Sequence, residues 1–254
     1  MSRAVLSIVA TALQLRQTGL MTTSRARSAR IRVRAEMTQE IKAAAHGQMA
    51  AEGASGLSLR AVARDLGMAS SAIYRYFPSR DALLTALIID AYASLGEAAE
   101  EAEARVHKAG VTKRWRAISH SVRDWALAHP YEYALIYGSP VPGYEAPQDT
   151  IAPGTRIPML LTGLFADVIA ARERRGDEHH VVPRRVHRAI APLRELVPDI
   201  VPDDLIISGM MAWTYLFGAV SFEVFGQRHN AFSDDAAFFD YEITRISEVL
   251  GLTD

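Results

Sequence analysis

The stretch from Ser58 to Leu84, SLRAVARDLGMASSAIYRYFPSRDALL, gathers side chains suited to reading a polyanion: Ser70 and Ser71, then Tyr74, Arg75 and Tyr76, then Arg80. An arginine fork pairs bidentately with guanine or with phosphate oxygens. A tyrosine donates its hydroxyl to phosphate and lays its ring on a thymine methyl, while small serines let a helix end sit deep in a groove. Ile73 and Phe77 stand four residues apart. In a helix they therefore share one buried stripe, and Ser70, Ser71, Tyr74 and Arg75 turn outward.

Four elements must hold those side chains. From Thr38, Ile41, Ala44, Ala45, Gln48 and Met49 recur at helical spacing until GASG, Gly53 to Gly56, ends the segment. Ser58 is expected to cap a second helix through its hydroxyl, with Leu59, Val62, Ala63 and Leu66 on one face and Gly67 at its stop. A third helix starts near Ala69 or Ser70 and reaches Phe77, where Pro78 forbids continuation. Ser79 then caps a long fourth helix carrying Leu83, Leu84, Leu87 and Ile88. Two short helices around a glycine turn, propped on each side, form the helix-turn-helix arrangement that lays its second helix in a DNA major groove.

At these residues the chain resembles the TetR family of one-component bacterial regulators. The family pattern stands here as Leu66-Gly67, Ser70-Ser71, Ile73-Tyr74-Arg75-Tyr76-Phe77 and Pro78-Ser79-Arg80-Asp81-Ala82-Leu83-Leu84, within a match over residues 37 to 92. The resemblance implies a three-helix DNA-binding head with contacts from Ser70, Ser71, Tyr74, Arg75, Tyr76 and Arg80; Ser58 and Arg60, at the start of the preceding helix, complete the candidate set. Ala69 stands where the family often has a capping serine, and Arg80 replaces its usual phosphate-binding lysine, a role an arginine can fill. The expected division is a basic, disordered arm over 1–36, the DNA-binding domain over 37–84, and a helical ligand-binding and dimerisation domain over 85–254. Arg27, Arg30, Arg32 and Arg34 of the arm are placed to follow the minor groove or backbone. Residues 1–20 carry a short apolar run, Ala4 to Ala12, too brief for a membrane span, and are expected to be a mis-assigned extension or part of the arm, with Met21 and Met37 as later starts.

Charge agrees with that division. Residues 1 to 92 hold 12 Lys and Arg against 6 Asp and Glu, whereas the remainder hold 16 against 23. A basic end suits a polyanion, and an acidic remainder faces away from it. The absence of cysteine excludes disulfide scaffolds, Cys-ligated zinc and thiol catalysis, and suits a reducing cytoplasm.

Beyond Tyr92 the pattern stays helical, so the fold class is all-α. GEAAEEAEARVHK, Gly96 to Lys108, reads as an acidic solvated face. A helix follows over Thr112 to His129, then Tyr131 to Tyr137, an irregular GSPVPGYEAP loop, a helix over 151–175, and a polar linker GDEHHVVPRR. Leu205 to Phe222 is 18 residues without a formal charge, long enough for a membrane span or for a helix buried against its own domain and a second subunit. Flanking Asp203, Asp204 and Glu223 favour the second. Asp234 to Leu252 supplies a partner helix. The resemblance implies a homodimer built on these last two helices, and W-x-x-L-F-G at Trp213 to Gly218 looks like one actinobacterial subgroup of such ligand domains.

The aromatic-rich body suggests a small-molecule inducer held among Trp115, Trp125, Tyr133, Tyr137, Met159, Phe165 and Trp213, although aromatics at helical spacing more often make plain core. Coupling to DNA of roughly 1 to 3 kcal/mol is typical of such switches. Catalytic motifs are absent from the sequence, so no enzyme activity and no cofactor are expected. His179, His180 and His187 lie in the polar linker without a matching carboxylate pair on a helix, so no metal site is expected. The sequence thus points to a cytoplasmic, homodimeric repressor released from double-stranded operator DNA by a ligand. Its rivals are an architectural DNA binder and a membrane-anchored one.

Overall fold

Apolar spacing of three and four from Ile41 onward is realised as helix. The computed structural model describes residues 29–176 and 180–252, and among these it contains helices and turns but no strand. The chain divides into two compact units at Leu83 and Leu84.

In the first unit, α1 spans 29–52 and buries Ile41, Ala45 and Met49. A single 3-10 turn, Ala54–Gly56, leads to α2, Leu59–Asp65. Then come α3, Ser70–Ile73, and the start of α4, Arg80–Ala104, which continues into the second unit. The turn between α2 and α3 has a specific cause. Gly67 adopts φ +64°, the Met68 N–H reaches back to Ala63 O at 2.8 Å, and the Gly67 N–H to Arg64 O at 3.0 Å. This is a Schellman ending, which places glycine where a side chain would be strained. Ser79 caps α4 as expected, its Oγ accepting from the Ala82 N–H at 3.0 Å.

The head departs from the sequence reading in three places. α1 starts at 29, so 29–36 is helical rather than a disordered arm; with Ile31 and Val33 about 60% exposed, this turn carries no buried stripe for periodicity to detect. The expectations for residues 1–28, including Arg27 and the later start at Met21, lie outside the described residues. Ser58 sits at the N-cap of α2, but its hydroxyl makes no capping bond; its backbone N–H instead donates to Gln48 Oε1 at 3.3 Å. Finally, α3 is regular only to Ile73, and Tyr74 to Tyr76 tighten into turns with Arg75 N–H on Ala72 O and Tyr76 N–H on Ile73 O. Pro78 disfavours helical geometry at the residue before it, so the helix tightens as it approaches.

The second unit packs α5 (Val111–Ala128) and α6 (Pro130–Tyr137) with α12 (Asp203–Val224) and α13 (Asp235–Val249). Trp115, Ile118, Val122, Tyr133, Leu216 and Phe239 lie in its core. The single helix expected over 151–175 is divided into α7 (Ile151–Gly154), α8 (Arg156–Gly163) and α9 (Phe165–Arg175). Pro153 and Pro158 each remove a backbone donor there, and Gly154 and Gly163 loosen the ends. Two short helices, α10 (Arg184–Ala189) and α11 (Ala191–Arg194), follow the linker.

Buried ion pairs fix how these helices meet. Arg123 of α5 donates through Nε to Glu223 Oε2 of α12 at 2.7 Å. Arg172 of α9 holds Asp204 of α12 at 2.7 Å, and Arg228 forks onto Glu242 of α13, which also accepts from Tyr215 Oη at 3.0 Å. Nearer the surface, and outside that buried set, Asp240 of α13 meets Arg116 and His120 of α5 with side chains about 40% exposed. These contacts hold the Asp240 carboxyl below its ordinary range, the His120 hydrogen bond first among them. Removing one member of a buried pair strands the other charge, so each pair enforces one arrangement of helices.

Candidate nucleic-acid interface and apolar cavity

The head presents one side of α3 and the turn after it. Ile73 and Phe77 point inward, at 0% and 6% exposure, while Tyr74 is 45% exposed beside exposed Ser70, Ser71 and Arg75. Such exposure of a tyrosine ring next to a buried stripe requires no accident of packing: the four-residue spacing that seats Ile73 and Phe77 turns Tyr74 away. Arg60 is exposed in the first turn of α2, with Ser58 half-buried ahead of it. Tyr76 is half-buried, its ring covered by the Arg34 guanidinium at 5.2 Å. Arg34 Nη2 also donates to Arg75 O at 2.8 Å. One arginine of the arm is thus a bracket on the recognition turn, which sequence spacing could not show across 41 residues.

Arg80, which the resemblance gave as a phosphate contact, also ties the head together. Its Nε donates to Leu57 O at 3.1 Å and its Nη2 to Ala54 O at 3.0 Å. The guanidinium clamps the start of α4 onto the link between α1 and α2. Gln48 fastens the same region, donating from Nε2 to Asp65 Oδ2 at 2.9 Å while its Oε1 accepts from Ser58.

In the second unit the seven residues proposed for a ligand separate into two groups. Met159, Phe165 and Trp213 line one cavity of about 290 Å³, together with Leu161, Ile206 and Met210. It lies between α8, the start of α9, α11 and α12. Gly209 admits the Phe165 ring, since a Cβ there would lie 2.5 Å from its Cζ. The other four belong to the packing. Trp115 is fully buried with Nε1 donating to Ile243 O at 2.9 Å, and Trp125 stacks on His129 with Nε1 donating to Ser94 Oγ at 2.9 Å. Tyr133 is fully buried with its hydroxyl on Ser221 and Phe217, and burial pushes that hydroxyl up to about 12. Tyr137 packs against Phe217 with ring centroids 4.2 Å apart, and burial raises its hydroxyl as well. Their spacing foretold burial; whether a cavity lay beside them was not in the spacing.

Sequence reading missed a second cavity and the tie that joins the cavities to α4. A space of about 430 Å³ is walled by Ile88, Tyr92, Ile136, Tyr144 and Thr150, with Tyr144 Oη 2.9 Å from Thr85 Oγ1. Thr155 lines both cavities. Next to it, Arg156 donates to Ala93 O of α4 at 2.7 Å and forks onto Glu100, holding the Glu100 carboxyl below its ordinary range. Gly96 makes the approach possible, because a Cβ there would meet Arg156 Cδ at 2.7 Å. The acidic stretch read as solvated is therefore partly committed: Glu100 to Arg156, and Glu103 to Arg114 at 2.7 Å. A glycine inside a helical pattern was the available signal for that close contact. His187 of the linker pairs with Asp203, and His179 lies outside the described residues.

A helix-turn-helix with an exposed tyrosine and arginine after its glycine turn, carried by a helical body that encloses cavities, defines a DNA-binding regulator rather than an enzyme. Residues 41–87 match the family described as bacterial regulatory proteins, tetR family, and residues 115–246 match the tetracyclin repressor-like C-terminal domain. HTH-type transcriptional regulators of Mycobacterium tuberculosis and Mycobacterium bovis are each 39% identical over 212 residues, covering 80% of this chain and 87% of theirs. The crystal structure of the regulatory protein SCO4313 superposes with a TM-score of 0.69 at 32% identity, over 85% of this chain and 97% of that one. A tetR-family regulatory protein from Rhodococcus RHA1 shares the fold, with a TM-score of 0.57 at 18% identity over 85% of this chain and 98% of its own. The chain belongs to the TetR family and is a DNA-binding transcriptional regulator.

Proposed function

We propose that the protein is a cytoplasmic homodimeric repressor that grips a palindromic operator through two recognition turns and lets go when a small molecule fills the cavity beside Trp213. The observation that carries ligand control is the Arg156 tie. The helix flooring the cavity is bonded to α4, and α4 begins with the Arg80 clamp on the head. A ligand that shifts α8 would therefore bear on α4, whose first residues belong to the head.

Dimerisation is supported by a stripe of Met211, Thr214, Gly218 and Phe222 along α12, and by exposed Tyr241 and Val249 on α13. Two heads on half-sites about 34–36 Å apart supply the specificity that one short helix lacks. A side chain added at Gly218 meets nothing within 4 Å of its Cβ in the protomer. Gly218→Trp should therefore leave a folded protomer that sediments as a monomer and has lost operator affinity. A normal dimer would place the interface elsewhere. Three stretches, Arg80–Ala104, Gln148–Arg174 and Asp203–Val224, are long and apolar enough by composition to cross a membrane. For α12, the ion pairs of Asp204 and Glu223 near its two ends support a role inside the protein instead.

Fluorescence anisotropy on DNA from upstream of the gene, against scrambled DNA over a salt series, tests the reading. Tight, sequence-dependent, salt-sensitive binding is expected. Equal weak binding to every DNA tried would favour the architectural alternative.

A further inference from the structure

We infer that Arg34 is a positioning residue for operator recognition. Its guanidinium holds the turn that carries Tyr74 and Arg75 in the shape that reads DNA, and its charge alone is not what the DNA requires. This rests on the groove-facing reading of that turn and names what keeps the turn in place. Arg34, Thr38, Ile41, Ala45 and Met49 follow one another at spacings of three and four. Arg34 therefore continues the inward stripe of α1, two turns ahead of Ile41, the first buried residue of that helix. Arg32, two residues off the stripe, turns away from it. Thr38 Oγ1 donates to Arg34 O at 2.8 Å and steadies the turn between them.

What Arg34 meets is the least regular part of the recognition element. α3 is regular for 4 residues, and Tyr74, Arg75 and Tyr76 follow in turns. So short a helix has little order of its own, and the carbonyls at its end lack intrahelical donors. Arg34 supplies such a donor, Nη2 to Arg75 O at 2.8 Å, while its Cζ lies 5.2 Å from the centre of the Tyr76 ring. One planar group thus restrains both the backbone and a ring of the turn. A lysine, a point charge on a flexible stem, cannot do both at once. A turn that spends only part of its time in the reading shape binds operator more weakly in that proportion. Non-specific binding, which depends on charge, escapes that loss.

Arg34→Lys keeps the charge and removes the fork. Operator and scrambled DNA are titrated by anisotropy over a salt series, and hydrogen exchange of the free protein is followed by mass spectrometry. Operator affinity should fall roughly tenfold to a hundredfold in a dimer that uses two heads, with scrambled-DNA affinity and the salt slope as in the wild type. Exchange over 74–77 should quicken several-fold, while exchange over 41–49 and 62–66 stays as it was. Wild-type operator affinity in Arg34→Lys would mean that any cation at this position suffices, and would overturn the assignment. An equal loss on both DNAs would overturn it in favour of a phosphate contact, and faster exchange throughout the head in favour of a general support of the fold. Unchanged exchange over 74–77 would overturn it with no DNA in the experiment. A wild type that cannot tell operator from scrambled DNA removes the groove-facing reading instead, and the exchange result still decides whether Arg34 holds the turn.

Discussion

Head and body use their arginines in opposite ways. Arg60 and Arg75 of the head are exposed, whereas Arg123, Arg172 and Arg228 of the body lie against carboxylates with little exposure. A solvated cation can be given to a phosphate or a guanine at small desolvation cost. A cation buried against a carboxylate is lost to any ligand, but it makes two helices meet in one way only. On the proposed reading Arg60 and Arg75 govern affinity and salt dependence, whereas Arg123, Arg172 and Arg228 govern geometry. Arg80 is the instructive exception, a head arginine used as the body uses its own.

The contrast breaks most visibly at the recognition turn. Arg75→Ala or Tyr74→Ala, present twice in a dimer, should cost operator affinity about a thousandfold at 1–3 kcal/mol per contact while leaving the dimer intact. Anisotropy and sedimentation check both halves, and normal operator affinity would reject the groove-facing assignment. Next in size is the body. Arg123→Ala strands Glu223 and should lower unfolding free energy by about 3–5 kcal/mol in a denaturant titration, with the salt slope of DNA binding by the folded protein unchanged.

Arg80→Leu sharpens the exception. It should destabilise the head by about 1–3 kcal/mol through stranded carbonyls and leave the salt slope as it was. A slope reduced by about 1 would instead restore Arg80 to a phosphate contact. The smallest effect is on pH. The Glu100 and Asp240 carboxyls sit below their ordinary range in the folded protein, through hydrogen bonds from Arg156 and from His120 and Arg116. Their contribution is thus present at neutral pH and is lost as pH falls through those depressed values. Thermal melts of Glu100→Gln with Asp240→Asn should show a shallower loss of stability on acidification than the wild type.

What could be read without coordinates follows the same divide. Gly67, Ser79 and the Ile73–Phe77 stripe act through neighbours within five residues, so their roles stood in local spacing. The Arg80 clamp was not legible because residue type declares a cation but not its partner; the carbonyls of Leu57 and Ala54 come to it across 23 and 26 residues. In the body, Trp115 and Trp213 share the same apolar periodicity, yet one is fully buried core and the other a cavity wall. Periodicity reports which face turns inward. A cavity depends on what is missing opposite that face, and this is decided by broken helices such as α8 and by distant glycines such as Gly209.

The Arg34 bracket also makes the first turns of α1 a support of the recognition turn. A chain begun at Met37 keeps the head's buried Ile41, Ala45, Met49, Ile73 and Phe77 but lacks the guanidinium that covers Tyr76 and holds Arg75 O. Such a chain should keep the head's core and bind operator DNA more weakly.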